Sequence, residues 1–149
     1  MLVREAYTAN VHCCGPRTTA AEAARIMRHK HVGDLVVVDD PQEQGVPLGI
    51  VTDRDLTIEV LGKGLDPAAT TVASLMRKPV VIAHASEDTS AVLERMRHHG
   101  VRRIPVVERE GEVVGILTLN DLLRLLVADA SALLEIMRKG QQQEQQLHR

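Results

Sequence analysis

Aromatic side chains are almost absent from this chain, which has one Tyr and neither Phe nor Trp among its 149 residues. Hydrophobic residues still make up 44% of the sequence, so its core must be built from Val, Leu, Ile, Ala and Met. A planar ring of a ligand would therefore lie against aliphatic side chains, because there is no aromatic platform on which it could stack.

Excess charge and long apolar runs are also missing. The formal net charge is −2, so there is no strongly basic face of the kind that supplies most of the affinity for nucleic acid. No stretch approaches the roughly twenty apolar residues of a membrane-spanning helix, and the first residues lack the apolar core of a secretory signal. We therefore expect a cytoplasmic protein that binds neither nucleic acid nor membrane.

The cysteines Cys13 and Cys14 are adjacent, and a disulfide between neighbours would be strained. Together with His12 they could form a redox or metal site, but no CxxC or paired-histidine spacing completes a four-ligand shell. No Ser-His-Asp, Cys-His or paired-carboxylate arrangement is supported by its spacing. We expect no metal, no required cofactor and no catalytic residue.

The most informative feature is an internal repeat. At an offset of 69 residues, Val11 aligns with Val80, and residues 27–29 align with residues 96–98. Past residue 45 the offset becomes 66, which aligns the segment GIVTDRDL with GILTLNDL. The change of three falls in a polar turn, where insertions are tolerated.

Both halves show the same order of elements, β-α-β-β-α. Valine-rich runs indicate strands, apolar residues at helical spacing indicate helices, and glycines are expected to end the closing helices at Gly62 and Gly140. The predicted strands are residues 11–14, 35–38, 48–52, 80–83, 104–107 and 113–118, and the closing helices are residues 54–61 and 120–137. The predicted division is 1–63 for the first repeat, 64–71 for a linker, 72–128 for the second repeat and 129–149 for a C-terminal helical extension with a polar tail.

This duplicated order, with G-I-V-T-D-R-D and G-I-L-T-L-N-D before each last helix and V-R-R-I-P-V-V on a middle strand, resembles a pair of cystathionine-β-synthase (CBS) domains. The resemblance implies an α/β fold in which tandem CBS repeats pack about a pseudo-twofold axis. It also implies a non-enzymatic regulatory module that binds AMP, ADP, ATP or S-adenosylmethionine between the repeats, forms a homodimer and acts on an unidentified effector protein. The alternative is a ligand-free dimerisation scaffold.

The repeated motif places Thr52 and Thr118 where a strand gives way to a helix, with Asp55 and Asp121 one turn further on. A helix N-terminus favours an anion such as phosphate, and a carboxylate accepts hydrogen bonds from a ribose diol. The pattern therefore suits a nucleotide. Alternatively, both threonines are plain helix caps and both aspartates serve the helix dipole.

The two copies differ on the middle strand, where Arg102 and Arg103 align with Gly33 and Asp34. The resemblance implies that basic residues at these positions point towards phosphates, which the planar guanidinium donors suit. In the alternative they are solvated charges at a strand edge. We expect one dominant cleft, formed by the arginines with Thr118 and Asp121, and a greater loss of binding from Asp121→Ala than from Asp55→Ala.

An apolar slot for adenine is expected on the first and middle strands, as the resemblance implies. Pro105 lacks an N–H group and is therefore expected at an edge or exposed position of its strand. Each slot residue could instead be ordinary core. The candidates are Val80, Val81, Ile82, Ile104 and Pro105, with His12, Cys13, Leu35 and Val36 as their counterparts in the first repeat.

The C-terminal extension offers an apolar surface, since Leu126, Leu133, Leu134 and Met137 recur at helical spacing. A Gln-rich, frayed end is expected after them. We expect this extension to support the homodimer.

Overall fold

The computed structural model describes residues 1–43 and 45–149 of the chain. Over these residues the order β-α-β-β-α occurs twice, which confirms the predicted α/β repeat. The first repeat comprises β1 (Cys13–Cys14), α1 (Ala20–Lys30), β2 (Asp34–Val38), β3 (Pro47–Thr52) and α2 (Asp53–Asp55), which continues as π-helical turns over Leu56–Leu61. The second comprises β4 (Ala83–His84), α3 (Thr89–His99), β5 (Arg103–Val107), β6 (Val113–Thr118) and α4 (Leu119–Leu147).

Each repeat forms its own three-stranded sheet, in the orders β1-β2-β3 and β4-β5-β6. The middle strand runs parallel to the first strand and antiparallel to the third, with matching registers such as Val36 opposite Ile50 and Pro105 opposite Ile116. The middle strands are almost entirely buried, which explains why they read as continuous apolar runs rather than alternating ones.

The helices begin at polar caps. Thr19 accepts a hydrogen bond from the backbone N–H of Glu22 in a capping box, and Asp88 accepts one from the N–H of Ser90. Both first helices end on a left-handed residue, His31 with φ 55° and Gly100 with φ 63°. These two residues are equivalent at the offset of 69, so the repeat extends to the caps.

A short 3₁₀ turn precedes each repeat, at Val3–Glu5 and Val72–Ser74; we call these the lead-in turns. Each lead-in turn packs into the core of the repeat that it does not precede. Val3 is fully buried in the cluster formed by the second repeat, around Ile104, whereas Val72 is fully buried in the cluster of the first, around Leu35. A third cluster joins the two sheets directly. It contains Val36, Val38, Val113 and Ile116.

The glycines of the repeated motif allow the residues that follow the other repeat's lead-in turn to approach closely. A Cβ at Gly49 would lie 2.8 Å from Sδ of Met76. A Cβ at Gly115 would overlap the ring of Tyr7 and lie 2.5 Å from the carbonyl oxygen of Thr8. The second approach is the tighter one, because it is shorter and includes a backbone atom, whereas a Cβ at Gly49 would meet only side-chain atoms of Met76, at 2.8–3.0 Å.

The structure corrects the expectation for Pro105, which is buried on the middle strand of its sheet rather than exposed at an edge. Two features make proline acceptable there. The N–H and C=O groups of its partner Ile116 are both bonded to Thr8, on the far side of β6. In addition, β4 begins only opposite Val106, so no paired residue of that strand needs a donor from Pro105.

The structure also corrects the expected end of the last helix. Helix α4 does not stop before Gly140 but continues through it to Leu147, over 29 residues. A single glycine costs only about 1 kcal/mol in a helix, and the Lys, Gln and Glu residues around it favour helix. No helix among the residues that the structure describes has the length and apolarity needed to cross a membrane.

Candidate functional site

A cavity of about 640 Å³ opens between the two repeats. Its volume falls within the range of roughly 300–1,000 Å³ that is usual for small-molecule sites. Both repeats contribute residues to its walls, so neither repeat alone would form it. It is lined by Ile50, Thr52, Asp53, Arg54, Asp55, Ile58, Glu59, Arg77, Pro79, Val80, Val81, Gly100, Val101, Arg102 and Arg103.

Thr52 and Asp55 bring the first repeat's strand-to-helix junction to this cavity. Oγ1 of Thr52 accepts a hydrogen bond from the N–H of Asp55 at 3.1 Å, while Oδ2 of Asp55 accepts one from the N–H of Thr52 at 2.9 Å. The pair is thus a capping box, which agrees with the alternative prediction that Thr52 caps the helix. The hydroxyl proton of Thr52 can still donate, and Oδ1 of Asp55 accepts no hydrogen bond from any described residue.

The second repeat supplies the apolar wall. Val80, Val81 and Val101 are all partly buried and line the cavity together with Pro79. These aliphatic side chains form the kind of surface that a chain with a single aromatic residue can offer to a planar ring. Val80 and Val81 were predicted at such a wall from the sequence.

Four arginines line the same cavity: Arg54, Arg77, Arg102 and Arg103. Three carboxylates, Asp53, Asp55 and Glu59, line it as well, but Glu59 is paired with Lys63 at i+4. Among the described residues, Arg77 and Arg102 form no ion pair. Arg54 forms none either among these residues, so three unpaired guanidinium groups line a space that could hold an anion.

Arg103 is the exception, because its Nη1 donates a hydrogen bond to Oδ2 of Asp34. The two residues are equivalent in the repeat, so this ion pair links the two sheets across the middle of the module. Their side chains are 36% and 24% exposed, which places the pair between a surface pair and a buried one. Asp34 thus neutralises one of the four arginines that line the cavity.

The equivalent strand-to-helix junction of the second repeat, at Thr118 and Asp121, has a different set of contacts. Oδ2 of Asp121 accepts hydrogen bonds from both the N–H and the hydroxyl of Thr118, each at 2.9 Å. Oδ1 lies 3.4 Å from the hydroxyl of Thr8 and 3.9 Å from Nη1 of Arg124. Asp121 is only 8% exposed, so both of its oxygens are already engaged within the chain.

The sequence-based grouping of the arginines with Thr118 and Asp121 does not match this geometry. The cavity brings Arg102 and Arg103 together with Thr52 and Asp55, while Thr118 and Asp121 are not among its lining residues. The reason is topological, because the cavity combines the helix junction of one repeat with the segments that lead into β4 and β5 of the other.

Three further candidates lie outside the cavity lining. Ile104 is fully buried in the second repeat's core, and Pro105 is buried on the same strand. Ile82 is partly buried, and its carbonyl oxygen accepts a 2.8 Å hydrogen bond from Arg95. The alternative that these residues belong to the ordinary framework fits their positions.

Arg77 is the principal cavity residue that the sequence analysis missed. At the offset of 69 it aligns with Thr8, the residue whose hydroxyl contacts Asp121. A comparison of residues 77 and 8 would have revealed a second difference between the repeats, with the same sign as the Arg102/Gly33 difference.

The cysteines lie apart from the cavity. Burial raises the pKa of the Cys13 thiol, and it raises the pKa of the Cys14 thiol to about 11. Both thiols are therefore protonated at neutral pH, which disfavours their use as nucleophiles.

Comparison with known proteins identifies the repeated unit. The family model "CBS domain" matches residues 3–62 and again residues 72–128. Hypoxic response protein 1 of Mycobacterium tuberculosis is 36% identical over 123 residues, which cover 83% of each chain. An uncharacterized protein of Methanopyrus kandleri is 32% identical over 128 residues, covering 86% of this chain and 64% of that protein. The chain thus spans slightly less than two thirds of the Methanopyrus protein.

Two solved structures show the same fold. Hypoxic Response Protein I, which has two coordinated zinc ions, superposes with a TM-score of 0.72 at 35% identity, covering 83% of this chain and 98% of the other. The CBS domain pair of protein MJ0100, in complex with 5′-methylthioadenosine and S-adenosyl-L-methionine, gives a TM-score of 0.73 at 27% identity, covering 87% and 98%.

Proposed function

The chain belongs to the CBS domain family, and from that premise we propose that it is a non-catalytic regulatory module that binds a phosphorylated adenosine, AMP, ADP or ATP, in the cleft between its repeats. The observation that carries this proposal is the meeting of Thr52, Asp55, Arg77 and Arg102 on one cavity.

The nucleoside part of the ligand is supported by the cavity's shape and by a relative. Val80, Val81 and Val101 offer an apolar wall to adenine, and the open oxygen of Asp55 can accept a hydrogen bond from a ribose hydroxyl. The CBS pair of protein MJ0100 holds two adenosine derivatives, 5′-methylthioadenosine and S-adenosyl-L-methionine.

The phosphate part is supported by charge. Arg77 and Arg102 have no acidic partner among the described residues, and guanidinium groups bind phosphate oxygens in a bidentate manner. S-adenosylmethionine carries a sulfonium cation close to its adenosine, which these arginines would repel. We therefore rank the adenine nucleotides above S-adenosylmethionine as ligands of this chain.

Zinc has no part in the proposal. The His, Cys, Asp and Glu side chains within residues 1–43 and 45–149 form no group of three that could hold a metal ion. The proposed regulatory output is a shift between two arrangements of the module that an effector protein distinguishes. Such a shift is limited by the ligand's difference in affinity for the two arrangements.

Isothermal titration calorimetry with AMP, ATP, 5′-methylthioadenosine and S-adenosylmethionine tests the proposal. We expect AMP and ATP to bind more tightly than the other two compounds. Asp55→Asn is expected to weaken AMP binding about tenfold, because a charged acceptor is lost, whereas Asp121→Asn is expected to change it less than twofold. Melting temperatures of both variants control for folding.

Absence of heat and of thermal stabilisation at about millimolar ligand would refute nucleotide binding. Equal losses from the two aspartate variants would place the ligand elsewhere. The competing function, a ligand-free scaffold, is favoured by one observation: Asp34 already neutralises Arg103 without any ligand. The same titrations decide between the two functions.

A further inference from the structure

Basic side chains crowd the second half of helix α1. They surround an open groove of about 680 Å³ on the surface of the first repeat. All of these basic side chains are exposed, and residues 25–31 contain no carboxylate. We call this surface the α1 basic groove, and it is lined by Arg25, Ile26, Arg28, His29, Lys30 and His31.

Nothing in the described part of the chain neutralises the permanent cations of the groove. Arg25, Arg28 and Lys30 form no ion pair within residues 1–43 and 45–149. Glu22 is the only acid of α1, and it accepts a hydrogen bond from the N–H of Thr19 at the start of the helix. Arg25 and Arg28 are three residues apart on one helix face, so their charges repel each other.

The helix dipole explains only part of this arrangement. Cations in the last turn of a helix are stabilised by the dipole, and Arg28 and Lys30 lie in that turn. The effect falls off within one turn, whereas Arg25 lies in the middle of the 11-residue helix. The dipole therefore leaves the charge of Arg25, and its repulsion from Arg28, unexplained.

The second repeat shows the same helix with balanced charges. At the offset of 69, Arg25 aligns with Glu94 and Arg28 aligns with Arg97. Glu94 and Arg97 form an ion pair at 3.0 Å on α3. The repeat thus accepts an acid at the position of Arg25, so its framework does not require a basic residue there.

The groove suits an acidic peptide that also carries an apolar side chain. Guanidinium groups bind carboxylates in a bidentate manner, and the lysine adds a third permanent charge. Ile26 is half-buried and lines the groove, so apolar surface lies among the cations. Over residues 25–30 the helix rises about 8 Å, the length of two to three extended residues. A short acidic segment is therefore long enough to cover the groove.

Nucleic acid fits the groove less well. The three permanent cations could neutralise only about three phosphates, and affinity for nucleic acid rises with that number. Single strands also bind by stacking on aromatic side chains, and the one aromatic residue, Tyr7, lies against Gly115 in the second repeat. The net charge of −2 gives no long-range attraction for a polyanion. These features favour a peptide.

We propose that the α1 basic groove binds an acidic segment of a partner protein. In this complex the partner's carboxylates supply the negative charge that Glu94 supplies on α3. Because the contacts are exposed, they favour fast association and moderate affinity. This docking surface is separate from the proposed nucleotide site, since none of its residues lines that cavity.

Fluorescence anisotropy with the full chain tests the proposal. The probe is a fluorescein-labelled peptide in which one leucine stands between two runs of three glutamates. We expect a dissociation constant on the order of 10 µM at about 50 mM salt, rising about fivefold at about 300 mM salt because exposed charge pairs are screened. No nucleotide is added, so the result does not depend on ligand binding in the cavity.

A matched pair of double variants tests the groove itself. Arg25→Gln with Arg28→Gln is expected to raise the peptide's dissociation constant about tenfold, because two charge-assisted contacts are lost. The control is Arg109→Gln with Arg138→Gln, which removes two exposed arginines that lie outside the groove and form no ion pair among the described residues. The control is expected to change the dissociation constant less than about twofold.

Arg25→Glu gives α1 the charge pattern of α3. The new carboxylate can pair with Arg28, as Glu94 pairs with Arg97. The melting temperature is therefore expected not to fall, while peptide binding weakens about tenfold. This variant separates lost binding from lost folding.

Three results would overturn the proposal. One is an unchanged anisotropy of the peptide up to about 500 µM protein. Another is equal weakening in the groove variant and its control. The third is tighter binding of a thymidine oligonucleotide of the same charge than of the peptide, which would assign the groove to nucleic acid.

Discussion

Replacing Asp34 by asparagine tests how the cavity's charges select its ligand. In the free protein, Asp34 holds the guanidinium of Arg103 through a hydrogen-bonded ion pair. A phosphate that enters the cavity competes with Asp34 for that guanidinium and is repelled by its carboxylate. Asparagine keeps the size and one acceptor oxygen of the side chain but removes the charge. We expect AMP to bind more tightly to Asp34→Asn than to the unmodified chain.

The magnitude follows from the exposure of the pair. Fully exposed ion pairs contribute about 0.2–1 kcal/mol, and hydrogen bonds to charged groups about 1.5–3 kcal/mol. With side chains 36% and 24% exposed, Arg103 and Asp34 lie between these cases. Releasing Arg103 is therefore expected to be worth about 1 kcal/mol, a gain of about fivefold in AMP affinity.

The comparison ligand is 5′-methylthioadenosine, which shares the nucleoside but carries no phosphate. Its affinity is expected to be the same in the unmodified chain and in Asp34→Asn, measured by calorimetry under the same salt conditions. Glu110→Gln is the control for net charge, because it removes one exposed carboxylate on the β5–β6 turn, away from the cavity lining.

Two results would refute the reasoning. A loss of AMP affinity in Asp34→Asn would mean that Asp34 orients Arg103 for the ligand rather than competing with it. An equal gain for AMP and 5′-methylthioadenosine would show that the substitution acts on the cavity's shape and not on its charge.

Two further predictions concern stability, both measured by urea unfolding. Gly115→Ala is expected to destabilise the fold by about 3 kcal/mol and Gly49→Ala by about 1 kcal/mol, because the first Cβ meets backbone and an aromatic ring whereas the second meets a flexible methionine. The second stability prediction concerns Glu87. Hydrogen bonds from Arg95 lower the pKa of its carboxyl group from 4.5 to about 2. A lowered folded-state pKa stabilises the protein above pH 4.5, and this contribution is lost as the pH falls towards 2. The stability advantage over Glu87→Gln is thus expected to be about 1–2 kcal/mol at neutral pH and to disappear near pH 2.

Each of these has a clear contrary outcome. Equal costs at Gly115 and Gly49 would show that the lead-in segment of the first repeat shifts as easily as a methionine side chain. A stability difference between the unmodified chain and Glu87→Gln that is the same at low and neutral pH would mean that the carboxylate's charge does not matter to its bond with Arg95.

Much of the fold was readable from the sequence because the chain contains two copies of one pattern. The order of strands and helices and the capping by Thr52 and Thr118 follow from local residues, and the structure confirms them. The end of α4 was not readable in this way. The penalty of Gly140 is local and small, and the helix formers on both sides outweigh it.

The composition of the site depended on tertiary packing. Aligning the repeats pairs Arg102 with Gly33 and Asp55 with Asp121, but residues that are equivalent in sequence lie on opposite sides of the pseudo-twofold axis. The cavity joins residues that are not equivalent, Asp55 from one copy and Arg102 from the other. The alignment therefore detected that the repeats differ, while the pairing of arginines with an aspartate needed the structure.

The exchange of the lead-in turns limits how this molecule can move. Val3 completes the core of the second repeat and Val72 that of the first. Separating the repeats would therefore remove a buried valine from each core and expose both cores to water. Neither half is expected to be stable alone, and a wide hinge opening of the cleft would amount to partial unfolding. Under the proposed function, a ligand would be sensed through small rotations of the repeats that leave both cores intact. The long α4, which follows β6 directly, would carry such a rotation to its far end, about 40 Å away, where the displacement is larger than at the cleft.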